Sequence, residues 1–112
     1  MNPRAQTYLW IAQRASAAAL ALCVLAHLAT MIYAVRGGLS AAEILGRTSG
    51  NVAWFAFYTV FVLAIAVHVP IGLRAVLIEW AGWRSRGRDV ALVCFSAFLI
   101  YGGMSAVKGV FR

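Results

Sequence analysis

Three long stretches of this chain carry no charged side chain, and they constrain its fold more than any other feature. Residues 15–35 form an uncharged run of 21, residues 48–73 one of 26, and residues 90–107 one of 18. A helix rising about 1.5 Å per residue needs roughly 20 apolar residues to cross the hydrocarbon core of a bilayer. The first two runs exceed that length and the third approaches it. Composition agrees: 63% of the residues are hydrophobic, 12% are charged and the mean hydropathy is +0.84. A soluble domain of 112 residues could not cover its core with so little polar surface. The expected fold is an all-α membrane protein, a single domain over residues 1–112, with three transmembrane helices near 7–35, 52–79 and 88–108. The first run is read as a span and not as a cleavable signal peptide. It is too long, and no credible small-residue cleavage site precedes a soluble domain.

The connections are short. Between the first two spans lies RGGLSAAEILGRTSGN, where Gly37 and Gly38 end a helix and Ser40 with Glu43 has capping-box spacing for a short interfacial helix. The second connection, WAGWRSRGRD, carries Arg84, Arg86 and Arg88. Net charge is +7, from nine arginines, one lysine and three acids. The arginines lie between apolar runs and not along one polar face, so membrane topology accounts for them and nucleic acid is not an expected partner. Arg4, Arg14, Arg74, Arg84, Arg86 and Arg88 fall on one side of the bilayer; Arg36, Arg47, Lys108 and Arg112 fall on the other. The excess of positive charge predicts an inside N-terminus and an outside C-terminus. Tyr8, Trp10, Trp80 and Trp83 would form the inner aromatic belt, and Tyr33 and Trp54 the outer one. Cys23 and Cys94 both sit in apolar runs and are expected to be buried small hydrophobes.

The only two histidines, His27 and His68, both lie inside spans. An intramembrane imidazole either serves a function or bonds a neighbouring helix as a packing group. His27 stands nine residues before Arg36, about 13 Å below the outer boundary, whereas His68 lies some sixteen residues into the second span, roughly 24 Å below it. A depth difference of about 10 Å, after tilt, predicts that the two do not share one metal centre. As haem ligands they would serve two haems, each completed by a ligand from elsewhere: Met104 of the third span, or a histidine of a partner helix. Around them, Ala64, His68, Gly72 and Ala75 share one helix face, as do Ser16, Leu20, Cys23 and His27. Both faces are smooth enough for a flat macrocycle or another helix. Pro70 is expected to kink the second span and free a carbonyl. Arg74 lies about 120° around the helix from His68, so reaching the same ligand would require snorkelling.

The pattern His68, Gly72, Arg74, Glu79 resembles the haem-binding helix of the succinate dehydrogenase/fumarate reductase cytochrome b subunits, where a ligand histidine is followed by glycine, arginine and an acid. The stretch AQRASAAAL is similar to that family's first-helix entry, with Arg14 and Ser16 on its arginine and serine. There are departures. Gln13 and Ala75 stand where the family often has histidine, Trp10 where it often has a quinone-contacting serine, and Ala17 where it has glycine. His27 looks like the first-helix ligand of two-haem members.

The resemblance implies a membrane-anchor cytochrome b subunit in a bacterial inner membrane. It would be a multi-pass part of a haem-binding helical bundle that passes electrons between an iron–sulfur subunit and membrane quinone. Implied cofactors are haem b, one or two shared with a partner helix set, and quinone as substrate. Implied partners are a flavoprotein subunit, an iron–sulfur subunit, and a second membrane-anchor subunit or second copy, all among membrane lipid. Implied site residues are His68 and His27 at iron, with Arg14, Ser16, Trp10 and Arg74 near quinone or haem propionates. The subunit would perform no chemistry on the dicarboxylate. Two other readings stand beside this one: a haem-free anchor of a related quinone-linked flavoprotein complex, and a small multidrug transporter. The latter needs a fourth span and a glutamate embedded in the first helix, where this chain has no acid.

Overall fold

The computed structural model describes residues 2–112 as four helices: α1 (Pro3–Arg36), α2 (Ala41–Thr48), α3 (Val52–Glu79) and α4 (Arg86–Phe111). α1, α3 and α4 are the three long apolar helices, each long enough to cross a membrane. The bundle measures 50 × 24 × 22 Å, and α3 lies at its centre, packed against α1 on one side and α4 on the other. The second span keeps its expected limits. The first begins four residues earlier than expected because Asn2 caps it, accepting from the Ala5 amide at 2.7 Å, and Pro3 suits a first turn that needs no donor. Gly38, with φ +65°, turns the chain out of α1. Ser40 and Glu43 then form the capping box that opens α2.

The surface is inverted relative to a soluble protein. Leu22, Leu25, Val35, Val93 and Tyr101 are all more than 60% exposed, and no large side chain is fully buried among the described residues. Small residues fill the contacts instead: Cys23, Ala64 and Ala66 are buried. Without a hydrophobic drive between helices in lipid, close backbone approach through small side chains supplies the attraction. α1 meets α3 along Leu9, Gln13, Ser16, Leu20, Cys23, His27 and Thr30, which recur at alternating intervals of four and three residues and are nowhere exposed. That is a heptad seam. Cys94, by contrast, is exposed on α4. The expectation that both cysteines are buried is corrected for this one, because lipid-facing and protein-facing positions of a span are equally apolar.

On the other side of α3, Gly103 of α4 presses on Val62. A Cβ added at Gly103 would lie 2.5 Å from Val62 Cγ1, and a β-branched side chain at a helix contact has little freedom to yield. Gly103→Ala is expected to destabilise the bundle by roughly 1–3 kcal/mol, and Val62→Ala in the same chain should recover most of that. Thermal denaturation of the two variants in detergent checks both halves. Pro70 also depends on α4. Proline cannot donate to the carbonyl four residues back, and that carbonyl, on Ala66, accepts instead from the Ser96 hydroxyl at 2.9 Å. α3 runs on as one helix through Pro70.

The two ends of the bundle are built differently. At one, the Thr48 hydroxyl donates to the Val110 carbonyl at 2.8 Å, the Gly50 amide to Phe111 at 2.6 Å, and the Ser49 hydroxyl to Arg112. These bonds satisfy the final carbonyls of α4 and tie α2 to it. At the other end, Asp89 bridges Arg74 at 3.2 Å and Arg88 at 2.9 Å.

Candidate functional site

The register of α1 against α3 is set at two points. Gln13 Nε2 lies 3.2 Å from where a Gly72 Cβ would stand, so the missing side chain at Gly72 makes room for the amide. Near the α2 end, the His27 ring lies edge-on to Tyr58 and Phe61, with centroids 5.9 and 5.8 Å away. Tyr58 and Phe61 precede His68 by ten and seven residues on the same helix. At about 1.5 Å per residue the two histidines therefore sit roughly 10–15 Å apart along the bundle. They occupy separate sites.

His68 opens on a shallow groove of about 410 Å³ lined by Ala17, Leu20, Ala21, Val24 and Leu25. Its Nδ1 is buried without a hydrogen-bond partner, as is Oε1 of Gln13 on the facing helix. A buried unpaired imidazole nitrogen is costly. The ring lines the groove beside two small residues, Ala17 and Ala21, with Leu20, Val24 and Leu25 around them. No three His, Cys, Asp or Glu side chains converge among the described residues. An iron that brings its own equatorial nitrogens needs only one or two axial groups from protein. A single imidazole in an apolar groove, with Ala17 and Ala21 leaving room beside it, fits such a macrocycle.

His27 opens on a larger cleft, about 510 Å³, between α1, α2 and α3. Trp54 and Tyr58 stack on each other in its wall at 5.7 Å. Trp54, an expected residue of the outer aromatic belt, is half-buried and stacks on Tyr58 one turn on. Thr30 donates its hydroxyl to the His27 carbonyl at 2.7 Å.

The remaining expected site residues disperse. Trp10 and Arg14, one turn apart, stack on each other at 5.2 Å on the exposed side of α1. Ser16 is buried in the seam, its hydroxyl donating to the Gln13 carbonyl at 3.1 Å. Arg74 points toward α4 and bonds Asp89, away from the α1 side where His68 faces. Asp89 went unremarked in the sequence. Its signal there was an acid opening an apolar run, with Arg74 near the end of the preceding helix. Arg88, grouped above with Arg84 and Arg86, is buried and spends its guanidinium on Asp89 and the Trp83 carbonyl, leaving Arg84 and Arg86 exposed.

Three long apolar helices, each able to cross a membrane, define a small helical membrane protein. The model describing the succinate dehydrogenase/fumarate reductase transmembrane subunit matches residues 1–103, and the chain belongs to that family. It is a multi-pass membrane anchor subunit of succinate dehydrogenase/fumarate reductase, a complex that also contains flavoprotein and iron–sulfur subunits. This sets aside the multidrug-transporter reading. No curated protein and no solved structure matches the chain.

Proposed function

We propose that this subunit binds haem b through His68 and carries electrons between the iron–sulfur subunit and membrane quinone. The observation that carries the reading is the His68 groove, where one imidazole nitrogen is buried and unpaired and the ring lines an apolar groove with Ala17, Leu20, Ala21, Val24 and Leu25. When bound, the haem supplies one-electron redox chemistry within the bilayer. The chain's own contribution is to hold the imidazole rigid through the α1–α3 seam and to keep water away with apolar walls. His27 serves a second haem in the other cleft. Both need a further axial ligand from a second membrane-anchor subunit or a second copy, since the two histidines stand too far apart to share one iron.

Six basic side chains at the Arg74–Arg88 end against four at the α2 end support an inside N-terminus and an outside C-terminus, in what we read as a bacterial inner membrane. The soluble subunits then dock beside exposed Arg84 and Arg86. A reduced-minus-oxidised spectrum of the purified complex tests the haem reading. A b-type difference spectrum is expected, and a flat one would leave the haem-free anchor.

Quinone contact belongs to the cytoplasmic end of α1. Arg14, braced on Trp10, offers a charged donor to a quinone carbonyl or a haem propionate from the exposed side. Arg14→Ala is expected to raise the KM for quinone about tenfold, on the order of 1.4 kcal/mol for a lost charge-assisted bond. The buried Ser16 acts through helix packing, so Ser16→Ala should change KM less. Quinone kinetics identical to wild type in Arg14→Ala would reduce Arg14 to a topology anchor.

A further inference from the structure

Several polar side chains line the cleft at the α2 end, and some of them are already bonded. Its Thr30 hydroxyl is spent on the His27 carbonyl, and its Asn51 side chain caps α3 by accepting from the Ala53 and Trp54 amides. What remains among the described residues, besides the Tyr33 and Tyr58 hydroxyls, is the His27 imidazole inside and, at the mouth, the Arg47 guanidinium, the one cation of the lining. Arg47 lies 5.7 Å over the Tyr33 ring and meets no carboxylate. Both ion pairs among the described residues are at the other end of the bundle. Glu43, one turn before Arg47, is turned to the Ser40 cap.

We propose that this cleft houses the macrocycle served by His27 and that Arg47 is the anchor for its carboxylates. The inference rests on the reading of His27 as a haem ligand and adds the residue that orients the group. A porphyrin carries its iron at the centre and its two carboxylates along one edge. Its pocket therefore needs an imidazole deep inside and a cation at the rim. Tyr33, under the guanidinium, is six residues beyond His27 on α1, about 9 Å toward the mouth. A carboxylate at the edge of a bilayer is costly unless paired, and a guanidinium accepts it in a planar, two-bond fork. Arg47 is also held in place. Its helix opens on the capping box and is tied at the other end to α4 by the Thr48 bond. A quinone carbonyl could accept one bond from this cation, but it carries no charge for the guanidinium to neutralise.

The test is a redox titration of the assembled complex carrying Arg47→Gln or Arg47→Lys, with the haem of His68 as internal control for assembly. Loss of a positive charge beside the propionates favours the ferric state. The reduction constant of the second haem should fall about tenfold in Arg47→Gln, equivalent to about 59 mV for one electron. The other haem should not move, and Arg47→Lys should recover most of the shift. Loss of the second haem alone in Arg47→Gln, restored in Arg47→Lys, also supports the assignment. Unchanged content and potential of both haems in Arg47→Gln would overturn it and leave Arg47 facing lipid phosphate. Altered quinone kinetics with both potentials unchanged would overturn it in favour of a quinone in the cleft. His27→Ala separates the two levels. If that variant keeps both haems, the reading of His27 fails; if it loses one while Arg47→Gln is silent, only the anchor fails.

Discussion

His68→Ala removes one b-type haem from the assembled complex and leaves the bundle intact: that is the expected result of the substitution with the largest effect on cofactor content. The side chain lies beside a groove and not within a packed core, and its Nδ1 makes no hydrogen bond to lose. Its removal therefore costs little in packing. The buried contacts of α3 with α4, through Ser96 and Gly103, stand on the other side of the helix and are untouched. Haem extraction and a difference spectrum would show one haem fewer, with the flavoprotein and iron–sulfur subunits still associated. His68→Met keeps an axial donor and should keep that haem at a raised midpoint potential. Full haem content with an unchanged potential in His68→Ala would exclude His68 from the iron.

The second large effect concerns His27. Because the antiparallel register sets His27 beside Tyr58 and Phe61, two to three turns before His68 on α3, His27→Ala should remove a different haem. A redox titration of the wild-type complex should resolve two midpoints. Each histidine substitution should abolish one of them, and the double substitution both. An iron held between two imidazoles requires both nitrogens close to it on opposite faces of one plane. A separation of roughly 10–15 Å along the bundle is too great for helix tilt to close. One haem, lost equally in either single variant, would show that the two do share an iron. His27→Ala also removes an aromatic contact, worth about 0.5–1.5 kcal/mol. A fall in thermal stability of that size accompanies the haem loss and does not by itself explain it.

Much of the architecture was legible in the chain because the bilayer imposes simple lengths. Uncharged runs of 21, 26 and 18 residues became three long helices, and the middle one has the limits expected from sequence. The short α2 was legible from Ser40 and Glu43, since a capping box is a local device whose two bonds close within four residues. The unequal depth of the two histidines was also legible. It needs only residue counts from a shared loop and a fixed rise per residue.

What the chain did not disclose is which way each helix faces. In a soluble protein the polar face marks the outside; in a membrane the lipid is as apolar as the interior, and that mark is lost. Cys23 and Cys94 look alike in sequence, yet one is buried in the α1–α3 seam and the other is exposed. Trp54 reads as a belt residue, and its stacking on Tyr58 in the cleft wall is seen only in the structure. Arg84, Arg86 and Arg88 read as one basic cluster, but Asp89 and the Trp83 carbonyl draw Arg88 alone into the bundle. The carbonyl freed by Pro70 was foreseeable, whereas its acceptance of the Ser96 hydroxyl from α4 depends on rotation of one helix against another. The cleft that joins His27 to Arg47 is the clearest case. Those two residues stand 20 positions apart on different helices. They line one cleft only because the turn after Gly38 folds α2 back over the end of α1 and Thr48 fastens it to α4. Length and charge determined the spans; the rotation and closure of the helices decided which side chains share a site.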